Sequence, residues 1–255
     1  NLMHADGGIY KNRGFFLNGL VSFAMNLNDY FASSGIKTDE YYMKYGVNKN
    51  NIYRYMFSSV LSKNIQFNIK QKDSKQGNQI NLLSVGQMIP RKGFDILLKA
   101  IKNVDNVKLT LIGGKPTQQY LTIINNYNLS DKVEILDFMP FNELKDYYLN
   151  ADIFVFPTRE DIWGLVLNEA MAFGLPIIST YNCVAAIEFD SLFNNCLLVP
   201  VDDIEKLNKA IKLLINDDNL RNNMAENSRN NARLITIDKM VEDYNRIFES
   251  LEEKL

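Results

Sequence analysis

Two carboxylates, Asp161 and Glu169, stand with seven residues between them in PTREDIWGLVLNEAMAFGLPIIST, residues 157–180. Asp161 falls in the polar stretch TREDIWG. Glu169 lies among Leu165, Val166, Ala170 and Met171, where a carboxylate needs a partner. A sugar diol such as that of ribose is a suitable one, because a carboxylate accepts two hydroxyl hydrogen bonds at once. A solvent-facing helix acid is the plainer alternative, and the apolar neighbours weaken it. Between the two acids, Trp163-Gly164-Leu165 opens a predicted helix, whose first amides lack internal partners and favour an anion.

A second chemistry-bearing loop is VGQMIPRKG, residues 85–93. Gly86 follows a strand and Lys92 sets a point charge at a helix start, a combination suited to phosphate. The loop matches neither G-x-G-x-x-G nor the P-loop pattern, and a solvated lysine would read the same in isolation. Gly113-Gly114 end the next strand and either admit a ligand closely or simply turn the chain. The single histidine, His4, stands in MHADGG. A lone histidine is more often structural than catalytic. Ser33 and Ser34, in FASSG, end a strand or form a turn. Cys183 and Cys196 have no metal-ligand spacing, so free thiols in a reducing compartment are expected. There is no D-x-D motif, and neither a metal nor another cofactor is expected.

These loops need elements that bring strand ends together. Short apolar runs predict strands at 80–86, 107–114, 133–139, 152–156, 176–179 and 197–200. Helices are predicted over PRKGFDILLKAIKNV and at 117–127, 142–150, 164–173, 203–215, 218–233 and 236–253. Such alternation makes a parallel sheet covered on both faces by right-handed crossovers, with ligands at the carboxyl ends of the strands. Upstream, 15–26 is predicted helical, 29–34 a strand, 38–46 a helix capped near Thr38 or Asp39, and 51–57 extended. The polar stretch 71–79 reads as a linker. The expected organisation is an N-terminal region 1–75, a C-terminal region 76–235, and a last helix 236–255 able to cross back. Asn1-Leu2-Met3 resembles the end of a strand without its beginning, so a fragment of a longer protein is expected.

The formal net charge of −2 and the pI near 5.6 argue against a nucleic-acid partner. The charge is uneven. Residues 1–75 carry ten Lys/Arg against five Asp/Glu, and the remainder eighteen against twenty-five. The asymmetry is either ordinary surface variation or a basic side that meets an anionic acceptor or a membrane surface. No secretory signal and no bilayer-length apolar run is visible.

In order, VGQMIPRKGFDILLKA, LTLIGG, PTREDIWGLVLNEAMAFGLPIIST and LLVPVDD resemble the retaining glycosyltransferases of family four. The resemblance covers residues 80–235 well and 1–79 more loosely. It implies the two-domain GT-B architecture: a complete C-terminal Rossmann-like doubly wound sheet domain with a partial N-terminal α/β domain. It also implies a nucleotide-sugar donor and a carbohydrate or lipid-linked acceptor. Carried over, Lys92 matches the diphosphate lysine, Gly164 and Leu165 match the phosphate-binding amides, and Trp163 beside them is a further donor-binding candidate. Glu169 matches the ribose acid, and Asp161 the first acid, near the donor sugar. Gly86, Gly113 and Gly114 line the same side. Two departures matter. Asp161 is shorter than the usual Glu. Gln87 stands where many members have a phosphate arginine, and a neutral amide cannot replace that charged fork, although Arg91 could supply part of the charge. The resemblance also gives His4 or Asp6 an acceptor-side role.

The resulting expectation is sugar transfer with retention, by a donor-phosphate-assisted front-face route, since no double-displacement nucleophile is evident. Bacterial surface polysaccharide or glycolipid synthesis follows from the resemblance, with a cytoplasmic location at the inner membrane face through peripheral contact. Two alternatives remain open: an inactive or partner-dependent nucleotide-sugar-binding module, and an NAD-dependent oxidoreductase, which lacks its dinucleotide fingerprint here.

Overall fold

The computed structural model describes residues 1–5, 7, 8, 14–65 and 79–254. Asp6 and residues 71–78 of the expected linker lie outside them. Six apolar runs form one wholly parallel sheet: β4 (Ile80–Val85), β5 (Val107–Ile112), β6 (Val133–Leu136), β7 (Ile153–Phe156), β8 (Ile177–Thr180) and β9 (Cys196–Val199), in the order β6-β5-β4-β7-β8-β9. Side chains alternate across it, as the period of two requires. Phe154 and Phe156 join Leu83 and Val85 in one core, while Ile153 and Val155 join Leu82, Leu109 and Leu111 in the other. Both faces are buried, which is why these strands read as unbroken apolar runs. The doubly wound expectation therefore holds.

The connecting helices are α3 (Phe94–Ala100), α4 (Gln118–Asn126), α5 (Phe141–Asn150), α6 (Leu165–Ala172), α7 (Val184–Phe193), α8 (Ile204–Asn216), α9 (Asp218–Asn231) and α10 (Ile237–Glu252). Several start at a side-chain cap: Thr117, Asp203, Asp217 and Thr236 each accept from a backbone amide three residues on. Helix α3 does not begin at Pro90. A short 3₁₀ turn, Pro90–Lys92, ends at Gly93, and the α-helix starts after it. Helix α7 has no counterpart in the sequence reading. Six of its ten residues are buried, Glu188 among them, so no polar stripe marks it.

Upstream, β1 (Leu2–Ala5), β2 (Tyr30–Ser33) and β3 (Ile52–Arg54) form a separate parallel sheet, with α1 (Phe15–Met25) and α2 (Ile36–Lys44). Helix α2 begins earlier than its composition suggests. Gly35 is its cap residue, and Thr38 and Asp39 are buried in its first turns. A residue from elsewhere supplies the missing cap: the Ile36 amide donates to Glu188 Oε2 on α7 at 2.8 Å. Helix α10 lies against the same region. The Met56 amide donates to Asp243 Oδ2 at 3.1 Å, the Ile237 amide donates to the Val60 carbonyl at 2.8 Å, and Ile247 packs with Ala32 and Tyr55. Among the described residues, no helix is long and apolar enough to cross a membrane.

Candidate active site

The first strand of the large sheet, β4, lies between β5 and β7, so the chain winds one way and then the other from it. Such a switch point leaves a crevice at the carboxyl ends of the strands. The loops after β4 and β7 meet there backbone to backbone. A Cβ on Gly93 would stand 2.0 Å from the Pro157 carbonyl oxygen, so only glycine fits. The Arg159 amide donates to the Arg91 carbonyl at 2.8 Å, and the Arg91 guanidinium donates to the Glu160 carbonyl at 2.8 Å. The loop after β5 closes on the same place. A Cβ on Gly113 would stand 2.0 Å from the Gly86 carbonyl oxygen. Gly113 therefore packs backbone against backbone on the loop after β4. Gly114 beside it has a left-handed φ of 128°.

This packing brings Lys92 and Asp161 together. Lys92 Nζ lies 2.5 Å from Asp161 Oδ2 and 4.8 Å from the centre of the Phe156 ring, and Arg91 Nη1 lies 3.6 Å from the same Asp161 oxygen. Lys92 and Asp161 are sixty-nine positions apart in sequence, so only the sheet makes this contact. Gly164 then starts α6 with φ 100°, and its Cα faces Cys183 Sγ so closely that a Cβ would be 2.8 Å from it. Leu165 is the first helical residue. Gln87 is exposed on the loop after Gly86, and its carbonyl accepts from the Ile89 amide at 2.8 Å.

Glu169 lies further along α6. The Tyr148 hydroxyl donates to Glu169 Oε2 at 2.7 Å. Burial raises the Glu169 pKa, against the opposing effect of that hydrogen bond. Burial and the neighbouring acid push the Tyr148 phenol well up. The Tyr148 ring stacks on Phe173 with centroids 5.2 Å apart, which fixes its hydroxyl. Tyr148 was not visible as a site residue because, in DYYLN, it looks like any core position of an amphipathic helix. Burial likewise lifts the Cys183 thiol to about 12, so it is no nucleophile at neutral pH.

Trp163, His4, Ser33 and Ser34 have partners within the protein. The Trp163 indole is buried in the core. It donates to Asn168 Oδ1 at 2.8 Å, and Asn168 donates in turn to the Phe57 carbonyl at 3.1 Å. Its side chain anchors the loop rather than facing the crevice. His4 contacts Tyr55, with 2.6 Å between Nε2 and the hydroxyl, and its ring lies 5.9 Å from that of Tyr244 on α10. Ser33 and Ser34 are buried and hydrogen-bonded to Asp39 and Thr38, a structural role. Asp6 lies outside the described residues. Its neighbour Gly7 reaches the acidic loop, where a Cβ would be 2.0 Å from the Ile162 carbonyl oxygen. Beside that contact runs a groove of about 220 Å³, with Lys37, Tyr41 and Lys44 of α2 facing Tyr181, Asn182 and Ile187. Asn182 also accepts, through its carbonyl, from the Asp161 amide at 2.9 Å. Among the described residues, no cluster of three His, Cys, Asp or Glu side chains could hold a metal.

The family model of the glycosyl transferases group 1 matches residues 65–231, which takes in every loop of this crevice. The chain belongs to that family. An uncharacterised glycosyltransferase of Haemophilus influenzae is 32% identical over 187 residues, covering 70% of this chain and 51% of that protein. The capsular polysaccharide biosynthesis glycosyltransferase CapM of Staphylococcus aureus is 29% identical over 149 residues, covering 57% of this chain and 39% of that protein. The chain thus spans about half the length of the first of these glycosyltransferases, and less of the second. Anabaena Alr3699/HepE, solved in complex with UDP, superposes with a TM-score of 0.78 at 17% identity, over 99% of this chain and 72% of that one. At that identity the likeness shows the fold, which is the GT-B fold of such enzymes.

Proposed function

We propose that this chain carries the donor site of a retaining glycosyltransferase, which moves a sugar from a nucleoside-diphosphate sugar to an acceptor hydroxyl. One observation carries the reading: Lys92, with Arg91 beside it, is held against Asp161 in the crevice where α6, the helix of Glu169, starts. In the reaction, Lys92 and the amides at Gly164 and Leu165 take up diphosphate charge and make the nucleoside diphosphate a better leaving group. Lys92 then shares itself between phosphate and Asp161, which frees Asp161 for the donor sugar. Glu169, held on one oxygen by Tyr148, offers the other to the ribose hydroxyls. The acceptor hydroxyl attacks from the face the nucleotide leaves, and no side-chain nucleophile is assigned. No cofactor is assigned either. HepE bound to UDP supports a uridine donor, and the name of CapM supports surface polysaccharide synthesis.

The acceptor, carbohydrate or lipid-linked, is assigned to the groove between α2 and the loop after β8, since that loop is bonded to Asp161. A cytoplasmic location at the inner membrane face is proposed with it. Helix α1 carries no charge and exposes Phe15, Phe16 and Phe23, on a basic stretch of chain, which suits an anionic bilayer surface.

The test is calorimetric titration with UDP, GDP, ADP, NAD, UDP-glucose and UDP-N-acetylglucosamine. Binding of one nucleoside diphosphate and not NAD is expected. Binding of NAD alone would overturn the reading, and donor binding without transfer to any acceptor would favour a partner-dependent module.

A further inference from the structure

The crevice depends on a residue that neither its type nor its neighbours mark as part of a donor site. We infer that Arg159 is a positioning residue, which holds the Lys92 loop and the Asp161 loop in register. The inference rests on the donor-site reading of those loops.

Arg159 lies between Thr158 and Glu160, two positions before Asp161, and yet its side chain leaves its own loop. Nη1 and Nη2 grip the two carboxylate oxygens of Asp95 at 2.9 and 2.8 Å. Nη1 also donates to the Pro90 carbonyl. Nε pairs with Asp202 Oδ1 at 2.7 Å. The backbone continues the pattern. The Arg159 amide donates to the Arg91 carbonyl at 2.8 Å, and the Arg159 carbonyl accepts from Asn182 Nδ2 at 3.0 Å. One residue of the loop after β7 therefore touches the loops after β4, β8 and β9. Two of its acceptors, Pro90 and Asp95, bracket Lys92 in sequence.

The chemistry requires arginine. A planar fork can hold Asp95 through two parallel bonds and still present Nε to a second carboxylate on another edge. Lysine, a single point charge, can hold one of them. Asp95 is 8% exposed at its side chain, so it has little water to fall back on. The guanidinium is committed to protein acceptors on three edges, which makes it a brace and not a ligand of the diphosphate. What it braces is the spacing of Lys92 and Asp161, which come from the two loops it ties.

The experiment is a double-mutant cycle with Arg159→Gln and Lys92→Ala, read by calorimetry with whichever of UDP, GDP and ADP the unaltered chain binds. Amide hydrogen exchange is followed over residues 86–93 and 157–164 in the same proteins. If Arg159 acts through Lys92, Arg159→Gln weakens nucleotide binding about tenfold or more, and adds no more than about twofold to Lys92→Ala. Exchange in the two loops rises together. Arg159→Lys, the variant to use if the glutamine protein does not fold, recovers only part of the affinity. Undiminished affinity in a folded variant, or losses that add in full, overturns the inference, as does exchange that rises in one loop alone. Should the unaltered chain bind none of the three nucleotides, the donor reading falls, and the joint exchange of the loops still decides whether Arg159 braces them.

Discussion

The two sheets are stabilised in different ways. The six-stranded sheet is covered on both faces by two large cores, and its strand-end loops are bonded to one another. The three-stranded sheet has a small core around Met25, Phe31, Tyr42, Tyr45 and Val47, and it leans on its larger neighbour. Glu188 of α7 caps α2 and pairs with Arg54 at 3.3 Å, while Asp243 of α10 holds the exit of β3. Its α1 leaves Phe15 at 99% and Phe16 at 77% exposure. The crevice of the six-stranded sheet is thus built from loops bonded to one another, and the three-stranded sheet is positioned by carboxylates on α7 and α10.

The largest effect expected on this contrast is in the crevice. Lys92→Ala should weaken nucleoside-diphosphate binding by about ten- to a hundredfold, the range for a charge-assisted hydrogen bond of about 1.5–3 kcal/mol. Calorimetry checks the affinity, and a melting temperature near that of the unaltered chain separates it from unfolding. Loss of the fold in this variant would deny that the bonds between the loops hold the crevice.

Glu169→Gln should move function and stability in opposite directions. The Glu169 pKa is raised in the folded state, by burial. Its contribution to stability is therefore fully present below the ordinary glutamate value and is lost as pH rises through the raised one. At neutral pH the buried charge is a burden, and glutamine, which can still accept from Tyr148, should raise the melting temperature while nucleotide affinity falls about tenfold. By the same sign, nucleotide affinity of the unaltered chain should drop on mild acidification sooner than an ordinary carboxylate would predict. A pH titration of binding beside a pH series of melting curves checks both.

Glu188→Ala should act on the other half. It removes the cap of α2 and one partner of Arg54, at about 1–3 kcal/mol. Hydrogen exchange should rise in α2 and leave the strands β4, β5 and β7 protected, with nucleotide affinity within about twofold. Equal exchange in both sheets would show that they unfold as one unit. The smallest stability effect belongs to α1. Exchanging Phe15, Phe16 and Phe23 for Ser should change stability by less than about 0.5 kcal/mol, and should abolish sedimentation with vesicles rich in anionic lipid. Sedimentation that persists would remove α1 from membrane contact.

What could be read without coordinates was whatever repeats locally. Apolar runs of strand length between amphipathic stretches announced the doubly wound sheet, because both signals are local periods. Gly86, Lys92 and Gly164 could be singled out because each lies in a loop after a strand or at a helix start, and Glu169 because a carboxylate among apolar helix residues needs a partner. The run Val184–Phe193 was not, since a helix buried on most sides shows no stripe. The start of α2 was misplaced because its cap comes from Glu188, one hundred and fifty-two residues away from Ile36.

By itself, the sequence determined the elements that carry a local period and the loops that carry charge, for these depend on residues a few positions apart. The tertiary structure alone decided the partners: Lys92 with Asp161, Tyr148 with Glu169, Arg159 with Asp95 and Asp202, and the turning of the Trp163 indole inward. The physical reason is that a buried charge or donor must find a complement wherever the packed chain brings one, and strand order, which no local period encodes, sets which loops meet.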